Sequence, residues 1–335
     1  MKEKKLMKLM IFDLDGTLLD KKTHTLSQEV VDAIASAQKK GIKVLLATGR
    51  HIETIDLFIL NAIAFDGYVT VNGNILLDKN KNKIVDYPLS KEDFTQLTHL
   101  CNQHNLPFAF HTRQGIVSEK DNPITQALET IHHHKDGIII DENMHDYADA
   151  VYNFMIYSED KEALQVFNDH FKHLKMESFF PHCYDFYSKS INKAVGIELF
   201  LHKFKCTWND VVAFGDSIND VSMLEKANIA YIIDNNKNTL DHLNIPMIKG
   251  GPLSSEFPQI IQKHSKVAIN DLTSDEVLVR MNDNRLKMTL LIAASFFIFG
   301  IQSMFIAQND RWILYFSLSA IMSVLAALIM RKKKQ

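Results

Sequence analysis

Leu9-Met-Ile-Phe-Asp13-Leu-Asp15-Gly-Thr17 runs four apolar residues straight into two carboxylates. The apolar run, Leu9–Phe12, has no polar face, so it reads as a short strand buried on both sides, as in a parallel sheet. Where such a strand ends the chain leaves the sheet, and Asp13 and Asp15 can both reach the crevice at its carboxyl end, the place where open α/β sheets bind ligands. Gly16 permits the sharp turn that this exit needs. Two close carboxylates repel, so a cation is expected to share the site. With oxygen ligands alone, Mg²⁺ is the natural candidate.

The same rhythm continues outward. Ser27–Lys40 reads as a helix with Ser27 as N-cap and Gly41 as its stop. Lys43–Ala47 reads as a strand, Glu53–Asn61 as a helix and Tyr68–Val71 as a strand. From about Ile84 the texture changes. Helices are expected at Ser90–His104 and Ala163–Leu174, with paired strands at Phe108–Thr112 and Ile116–Glu119 and strand-like runs at Val151–Tyr157 and Cys183–Tyr187. This is a mixed α+β insertion rather than more of the wound sheet. Alternation returns with a helix at Lys193–Lys203, a strand at Val211–Phe214, a helix at Asp220–Ala227 and a strand at Ala230–Ile233.

Three further clusters sit at the same kind of position. Gly215-Asp-Ser-Ile-Asn-Asp220 follows an apolar strand, and a turn starting there puts Asp216 and Asp220, four residues apart, on one face. Ala47-Thr-Gly-Arg50 offers a hydroxyl and backbone N–H groups at a helix start, which suits phosphate. Lys193 opens a helix where the core resumes, and its ammonium could neutralise a phosphoryl group.

In chain order, Asp13–Thr17, Ala47–Arg50, Lys193 and Gly215–Asp220, the four clusters resemble the four motifs of the haloacid dehalogenase (HAD) superfamily of phosphohydrolases. An insertion between the second motif and the lysine, together with the Asn72-Gly73 step after a strand, is similar to the Cof-type branch (subfamily IIB, with a C2B cap). The resemblance covers roughly residues 6–265. It implies an α/β fold: a Rossmann-like HAD core with a parallel sheet and an inserted α+β cap that closes over the site and selects the leaving group. It implies Asp13 as nucleophile, forming an aspartyl-phosphate, and Asp15 as general acid and then base. Thr48, Gly49, Lys193 and Asn219 would hold the phosphoryl group. Asp13, the Asp15 backbone carbonyl and Asp216, supported by Asp220, would hold Mg²⁺. Arg50, Asn72 and Gly73 are weaker candidates for contact with substrate. The chain departs from the family pattern at Ala194, where glycine is usual after the lysine, and at Ile233-Asp-Asn-Asn236, where a Gly-Asn-Ala step is usual.

Other features have plainer readings. Three consecutive histidines, His132 to His134, cannot share one helix face, so a solvated surface is expected there rather than a metal site. Phe179, Phe180, Tyr184, Phe186 and Tyr187 are expected to pack within the cap. Arg50 could equally cap or pair locally. Cys101, Cys183 and Cys206 are an odd count without metal-ligand spacing, which fits a reducing compartment.

The 335 residues average 46% hydrophobic with a net charge of −3, so no basic excess argues for nucleic acid. That average conceals the tail: 31 of the 43 residues from Met288 to Met330 are hydrophobic. Thr289–Ala307 and Ile313–Met330 carry no charge over 19 and 18 residues. As helices each would reach roughly 27–29 Å, about the hydrocarbon thickness of a bilayer. Seven basic residues flank the pair (Arg280, Arg285, Lys287 and Arg331 to Lys334), against Arg311 alone in the turn, which places both ends and the body in the cytoplasm. Trp312 suits the membrane interface, and the Ser319, Ser323, Ala327 row is a candidate surface for self-association. The basic N-terminus is too often interrupted to be a signal peptide.

The expected organisation is therefore a core over residues 1–83 and 188–265, an inserted cap over 84–187, a juxtamembrane linker over 266–288, two spans within 289–330 (289–307 and 313–330) and a basic tail over 331–335. The expected function is hydrolysis of a small phosphomonoester, such as a sugar, nucleotide or cofactor phosphate, by a Mg²⁺-dependent phosphatase on a multi-pass cell-membrane anchor. The partners are that substrate and the lipid bilayer. Competing readings are a non-catalytic membrane-anchored regulator, a phosphomutase and a relative of the P-type ATPases. Those pumps typically carry Thr at the position of Asp15, which argues against the last.

Overall fold

A computed structural model describes residues 7–234 and 240–265. The two expected spans, the linker, the tail and Asn235-Asn236 lie outside the described residues, and among the described residues no helix is long and apolar enough to cross a membrane.

In chain order the elements are β1 (Leu9–Phe12), α1 (Gln28–Lys39), β2 (Lys43–Ala47), α2 (Leu57–Ala62), β3 (Gly67–Thr70), β4 (Ile75–Asp78), β5 (Lys83–Asp86), α3 (Lys91–Gln103), β6 (Phe108–His111), β7 (Ile116–Ser118) and α4 (Pro123–His132). They continue with β8 (Ile138–Ile140), β9 (Phe154–Tyr157), α5 (Lys161–His170), β10 (Leu174–Phe180), β11 (Cys183–Ser188), α6 (Lys193–Lys203), β12 (Val211–Gly215), α7 (Val221–Lys226), β13 (Ile229–Ile233), β14 (Met247–Ile248) and α8 (Glu256–His264).

The large sheet has the order β14-β13-β12-β1-β2-β3-β4-β5. Its first six strands are parallel, and β1 sits between β12 and β2, pairing Phe12 with both Phe214 and Leu46. Both faces are covered because the strands are apolar on both: Met10 and Phe12 join one core with α1 and α8, while Leu9 and Ile11 join another with α6 and α7. Fully burying one such side chain contributes about 1.5–3 kcal/mol. The expectation of a parallel sheet needs one correction. β4 and β5 add antiparallel to its edge, so the sheet is mixed, and the expected boundary at residue 84 falls inside β5, which pairs with β4.

The smaller sheet has the order β10-β11-β9-β6-β7-β8 and is antiparallel except for β7 and β8. Period-two alternation divides its faces. Phe110, Phe154, Ile156 and Phe186 face a core shared with Leu97 and Cys101 of α3 and Leu164 and Phe167 of α5. Ala109, Ile116, Met155 and Cys183 pack with Ile124, Ala127 and Leu128 of α4 on the opposite side. Hydrogen bonds from Tyr152 Oη to Asp86 (2.6 Å) and from Asn74 Nδ2 to Asn153 Oδ1 (3.3 Å) tie the cap to the large sheet.

Several local expectations shift. The helix foreseen over Ala163–Leu174 ends at His170, and Leu174 opens β10 instead. Ser27 caps α1 by backbone position alone, without a side-chain hydrogen bond. The Glu53–Asn61 helix divides into a 3₁₀ turn at Ile52–Thr54 and α2.

Candidate active site

The carboxyl ends of β1, β2, β3 and β12 converge beneath one cavity of about 600 Å³. After β1 the chain doubles back at once: the N–H groups of Thr17, Leu18 and Leu19 all donate to Leu14 O. Gly16 has φ +91°, and a Cβ there would stand 2.4 Å from Asp216 Oδ2, so the turn brings its backbone against the β12 loop in a way that only glycine allows.

Asp13, Asp216 and Asp220 are all buried, and one carboxylate oxygen from each lies within 4.8 Å of the others. Lys193 opens α6 and is wholly buried, with its Nζ 2.6 Å from both Asp13 Oδ1 and Asp220 Oδ1. Asp220 Oδ2 accepts from the N–H groups of Asp216 and Ser217, each at 3.0 Å. Lys21 Nζ reaches Asp216 Oδ2 at 2.6 Å. Burial and the repulsion of Asp220 push the Asp13 carboxyl up to about 6 against the pull of Lys193. Burial likewise raises Asp220. Burial would lower the Lys193 ammonium, but its two carboxylate neighbours win and raise it, so it stays charged. An all-oxygen set of three carboxylates, with a glycine cradle beside Asp216, fits Mg²⁺.

Asp15 takes a different partner. Arg50, buried behind the β2 end, donates from Nε (2.8 Å) and Nη2 (2.6 Å) to the two Asp15 oxygens and from Nη1 to Thr54 O (3.1 Å). Burial raises the Asp15 carboxyl, yet the guanidinium outweighs it and holds the group below its ordinary value. Of the readings given for Arg50, the structure shows pairing, as a fork onto Asp15 and not onto a sequence neighbour, and Arg50 also lines the cavity.

The expected phosphate residues divide into two layers. Gly49, Asn72 and Asn219 line the cavity with Asp13, Asp15 and Arg50. Asn219 donates to Asn72 Oδ1 at 3.0 Å, and Asn72 holds the left-handed conformation (φ 55°). Thr48 and Lys193 are fully buried beneath them, and Thr48 Oγ1 accepts from Arg50 N at 3.0 Å. Gly73 does not line the cavity. A Cβ there (φ +103°) would stand 2.3 Å from Asn192 O, so Gly73 lets the β3–β4 turn press against the start of α6 and seat Lys193.

A sequence model described as haloacid dehalogenase-like hydrolase matches residues 10–244. The chain belongs to this family. It is 26% identical to the 5-amino-6-(5-phospho-D-ribitylamino)uracil phosphatase YcsE of Bacillus subtilis over 73% of this chain and 92% of that protein. It is also 26% identical to the pyridoxal phosphate phosphatase YbhA of Escherichia coli, over 68% of this chain and 88% of that one. Among solved structures, a HAD-superfamily phosphatase from Bacteroides thetaiotaomicron matches with a TM-score of 0.67 at 23% identity, over 78% of this chain and 97% of that one. The subclass IIB sugar phosphatase BT4131 matches with a TM-score of 0.64 at 22% identity, over 77% and 98%, and at this identity the likeness is one of fold. The expected superfamily and the enzyme class, a phosphatase, are borne out, and the fold is that of the subclass IIB structure.

Within this HAD-type hydrolase, sequence reasoning missed the other wall of the cavity. His132 is 4% exposed and lines the cavity, so the reading of a solvated histidine run is wrong for it. α4 ends there and the chain turns at His133 (φ 62°), which points successive rings apart. Burial and the charge of Arg50 lower His132 to about 3, so its ring is neutral. His111 and Asp185 also line the cavity. The expected packing role holds for Tyr184 and Phe186, Tyr187 is buried, and Phe179 and Phe180 pack against the Ala109 and Met155 cluster while also lining the cavity. No motif marks these positions. For His111 and Asp185 the one available signal was a polar residue in an otherwise apolar strand, and His132, at the end of α4, had none.

Proposed function

We propose that this hydrolase is a Mg²⁺-dependent phosphatase that removes phosphate from a small phosphomonoester through an aspartyl-phosphate on Asp13. The observation that carries the reading is Lys193 bridging Asp13 and Asp220 at 2.6 Å each, with Asp216 beside them, directly beneath a cavity that Asp13 lines and that is large enough for a small phosphoester. Asp13, Asp216 and Asp220 would hold the ion, with the backbone carbonyl of Asp15. Bound there, Mg²⁺ supplies charge neutralisation for the phosphoryl oxygens.

The chain's own residues do the rest. An Asp13 oxygen attacks phosphorus while the bond from phosphorus to the leaving oxygen breaks. That oxygen takes its proton from Asp15. As a carboxylate, Asp15 then takes a proton from the water that attacks the aspartyl-phosphate, which releases phosphate and restores Asp13. Lys193, fixed by two carboxylates, needs no reorganisation as charge develops on the phosphoryl group. Arg50 holds Asp15 in its charged form, so the acid step requires this grip to loosen, and Arg50 is a positioning residue. Relatives that act on a ribitylaminouracil phosphate and on pyridoxal phosphate support a small cofactor- or sugar-like leaving group.

Phosphate release by the full chain from a panel of sugar, nucleotide and cofactor phosphates tests the reading. Asp13→Asn, whose carboxamide is not a nucleophile, should lower turnover by at least about 10³-fold. Full activity in that variant would sink the mechanism, and inactivity of the parent on the whole panel would favour a non-catalytic role.

The membrane anchor belongs to the same proposal. Residues 289–307 and 313–330 form two spans that hold the catalytic body at the cytoplasmic membrane face, a reading supported by their length, their lack of charge and their basic flanks. The full chain should sediment with membranes through a high-pH wash and be released by detergent. Recovery in the soluble fraction overturns the anchor but not the phosphatase.

A further inference from the structure

The cap wall of the cavity carries hydrogen-bonding capacity that the chain itself leaves unused. Asp185 on β11 is in register with Glu177 on β10 and Met155 on β9, and Met155 is in register with Ala109 on β6. By the alternation of the strands these residues share one face of the cap sheet with His111, two residues beyond Ala109. α4 covers part of this face with Ile124, Ala127 and Leu128 and delivers His132 to the cavity at its last turn.

On this wall Asp185 Oδ1, His111 Nδ1 and His132 Nδ1 are buried and make no hydrogen bond among the described residues, although His111 is only 5% exposed and His132 only 4%. A buried polar atom left unmade costs about 1–3 kcal/mol, so three on one cavity wall mark places where a ligand's atoms belong. The neighbouring acid does not share this state: Glu177 accepts from Tyr187 Oη and from Lys175 Nζ (3.2 Å). Burial and Glu177 push the Asp185 carboxyl up to about 7, against a hydrogen bond from Asn153. Both histidines are neutral, since burial lowers each ring. The cap contributes no cation to the cavity lining. Among the described residues the cavity's two lining cations, Lys21 and Arg50, come from the core and are held by Asp216 and Asp15.

We infer that Asp185, His111 and His132 form a leaving-group subsite for monophosphate esters whose far end donates hydrogen bonds through hydroxyls or an amine and carries no second anion. An ammonium or hydroxyl opposite Asp185 satisfies the carboxylate, and each neutral imidazole can donate or accept at Nδ1. Phe179 and Phe180 offer an apolar flank for the body of the same group. A second phosphate or carboxylate would instead face Asp185 and Glu177, and the nearest cap cation, Lys175, is already held by Glu177 and does not line the cavity.

This inference rests on the phosphatase reading, and the experiment separates the two. Steady-state kinetics of the full chain are measured with glucosamine 6-phosphate, glucose 6-phosphate, fructose 1,6-bisphosphate and acetyl phosphate, the last having almost no far end. The parent should favour the first two over the bisphosphate by about tenfold or more in kcat/KM, and their order separates the amine from the hydroxyl as the preferred donor. Asp185→Leu should raise KM for the two monophosphate sugars about tenfold with kcat within about threefold, and leave acetyl phosphate unchanged. Asp185→Asn, which keeps the shape, should move KM the same way by a smaller factor. Retained acetyl phosphate turnover shows that each variant is folded. Unchanged sugar KM values in both variants, or a parent that prefers the bisphosphate, would overturn the subsite while leaving the phosphatase standing. No turnover of any of the four by the parent would overturn both.

Discussion

The two walls of the cavity are built on opposite principles. On the core wall the charges that line or underlie it are matched: Lys193 with Asp13 and Asp220, Lys21 with Asp216, Arg50 with Asp15. On the cap wall Asp185, His111 and His132 keep buried atoms without partners. The difference teaches where each wall meets its ligand. A group that must stabilise developing charge is held in place beforehand by its neighbours, at no cost in reorganisation during the reaction. A group that must recognise a leaving group keeps its hydrogen bonds for that group, and the free protein carries the cost.

The comparison breaks most severely at Lys193. Lys193→Met would leave Asp13 and Asp220 buried together without a counter-charge, and removing one partner of a buried pair costs about 3–5 kcal/mol. We expect a lower unfolding temperature by roughly 10 °C for a body of this size, together with loss of phosphate release. Thermal unfolding followed by circular dichroism checks the first. An unaltered melting temperature would mean that the buried cluster is not charged as described.

A smaller break is Arg50→Lys. One ammonium cannot reproduce the fork onto both Asp15 oxygens and the third bond to Thr54 O. Loss of that pairing removes what holds the Asp15 carboxyl below its ordinary value. The limb of the kcat pH profile that reports Asp15 should then move upward, with turnover falling by about tenfold as the carboxyl loses its fixed orientation. A profile that does not move would separate Arg50 from the proton-transfer step.

The smallest effect sharpens the cap side. The Asp185 carboxyl titrates at about 7 in the folded chain, against an ordinary value of 3.8. The folded state therefore binds this proton more tightly than the unfolded state does. The stability it contributes is complete below the unfolded value and is lost as pH rises through about 7. Asp185→Asn removes this loss, so the variant should be more stable than the parent at pH 8, and its advantage should shrink as pH falls from about 7 toward 4. Parallel melting curves of parent and variant across this range would check it, and a constant offset would show that the carboxyl is not perturbed.

The core was legible in the sequence because its evidence is local. Leu9–Phe12 and Val211–Gly215 are short apolar runs with acids at their ends, and strand ends in such sheets point to the crevice. The cap was legible only in outline. Phe167, Phe171 and Leu174 recur at helical spacing, so α5 was expected to run on, yet Leu174 pairs with Ser188 of β11. The hairpin of β4 and β5 has no strong turn signature over Asp78–Lys83, and α4 opens with an Asn122–Thr125 capping box that the surrounding polar residues masked. His132 shows the limit most clearly, because nothing in a run of three histidines says which ring a helix end will turn inward.

By itself, then, the sequence determined the order of the acid clusters at the strand ends, a lysine opening a helix where the core resumes and the division into core and insertion. Each of these follows from hydrophobic periodicity and short spacings, which act within a few residues. Tertiary structure alone decided the partners: Arg50 to Asp15 across 35 residues, Lys21 to Asp216 across 195, and Asp185 opposite Glu177 on a sheet that folds over the site. Those pairings depend on strand order and on the way the cap packs, which set distances between residues that no local pattern connects.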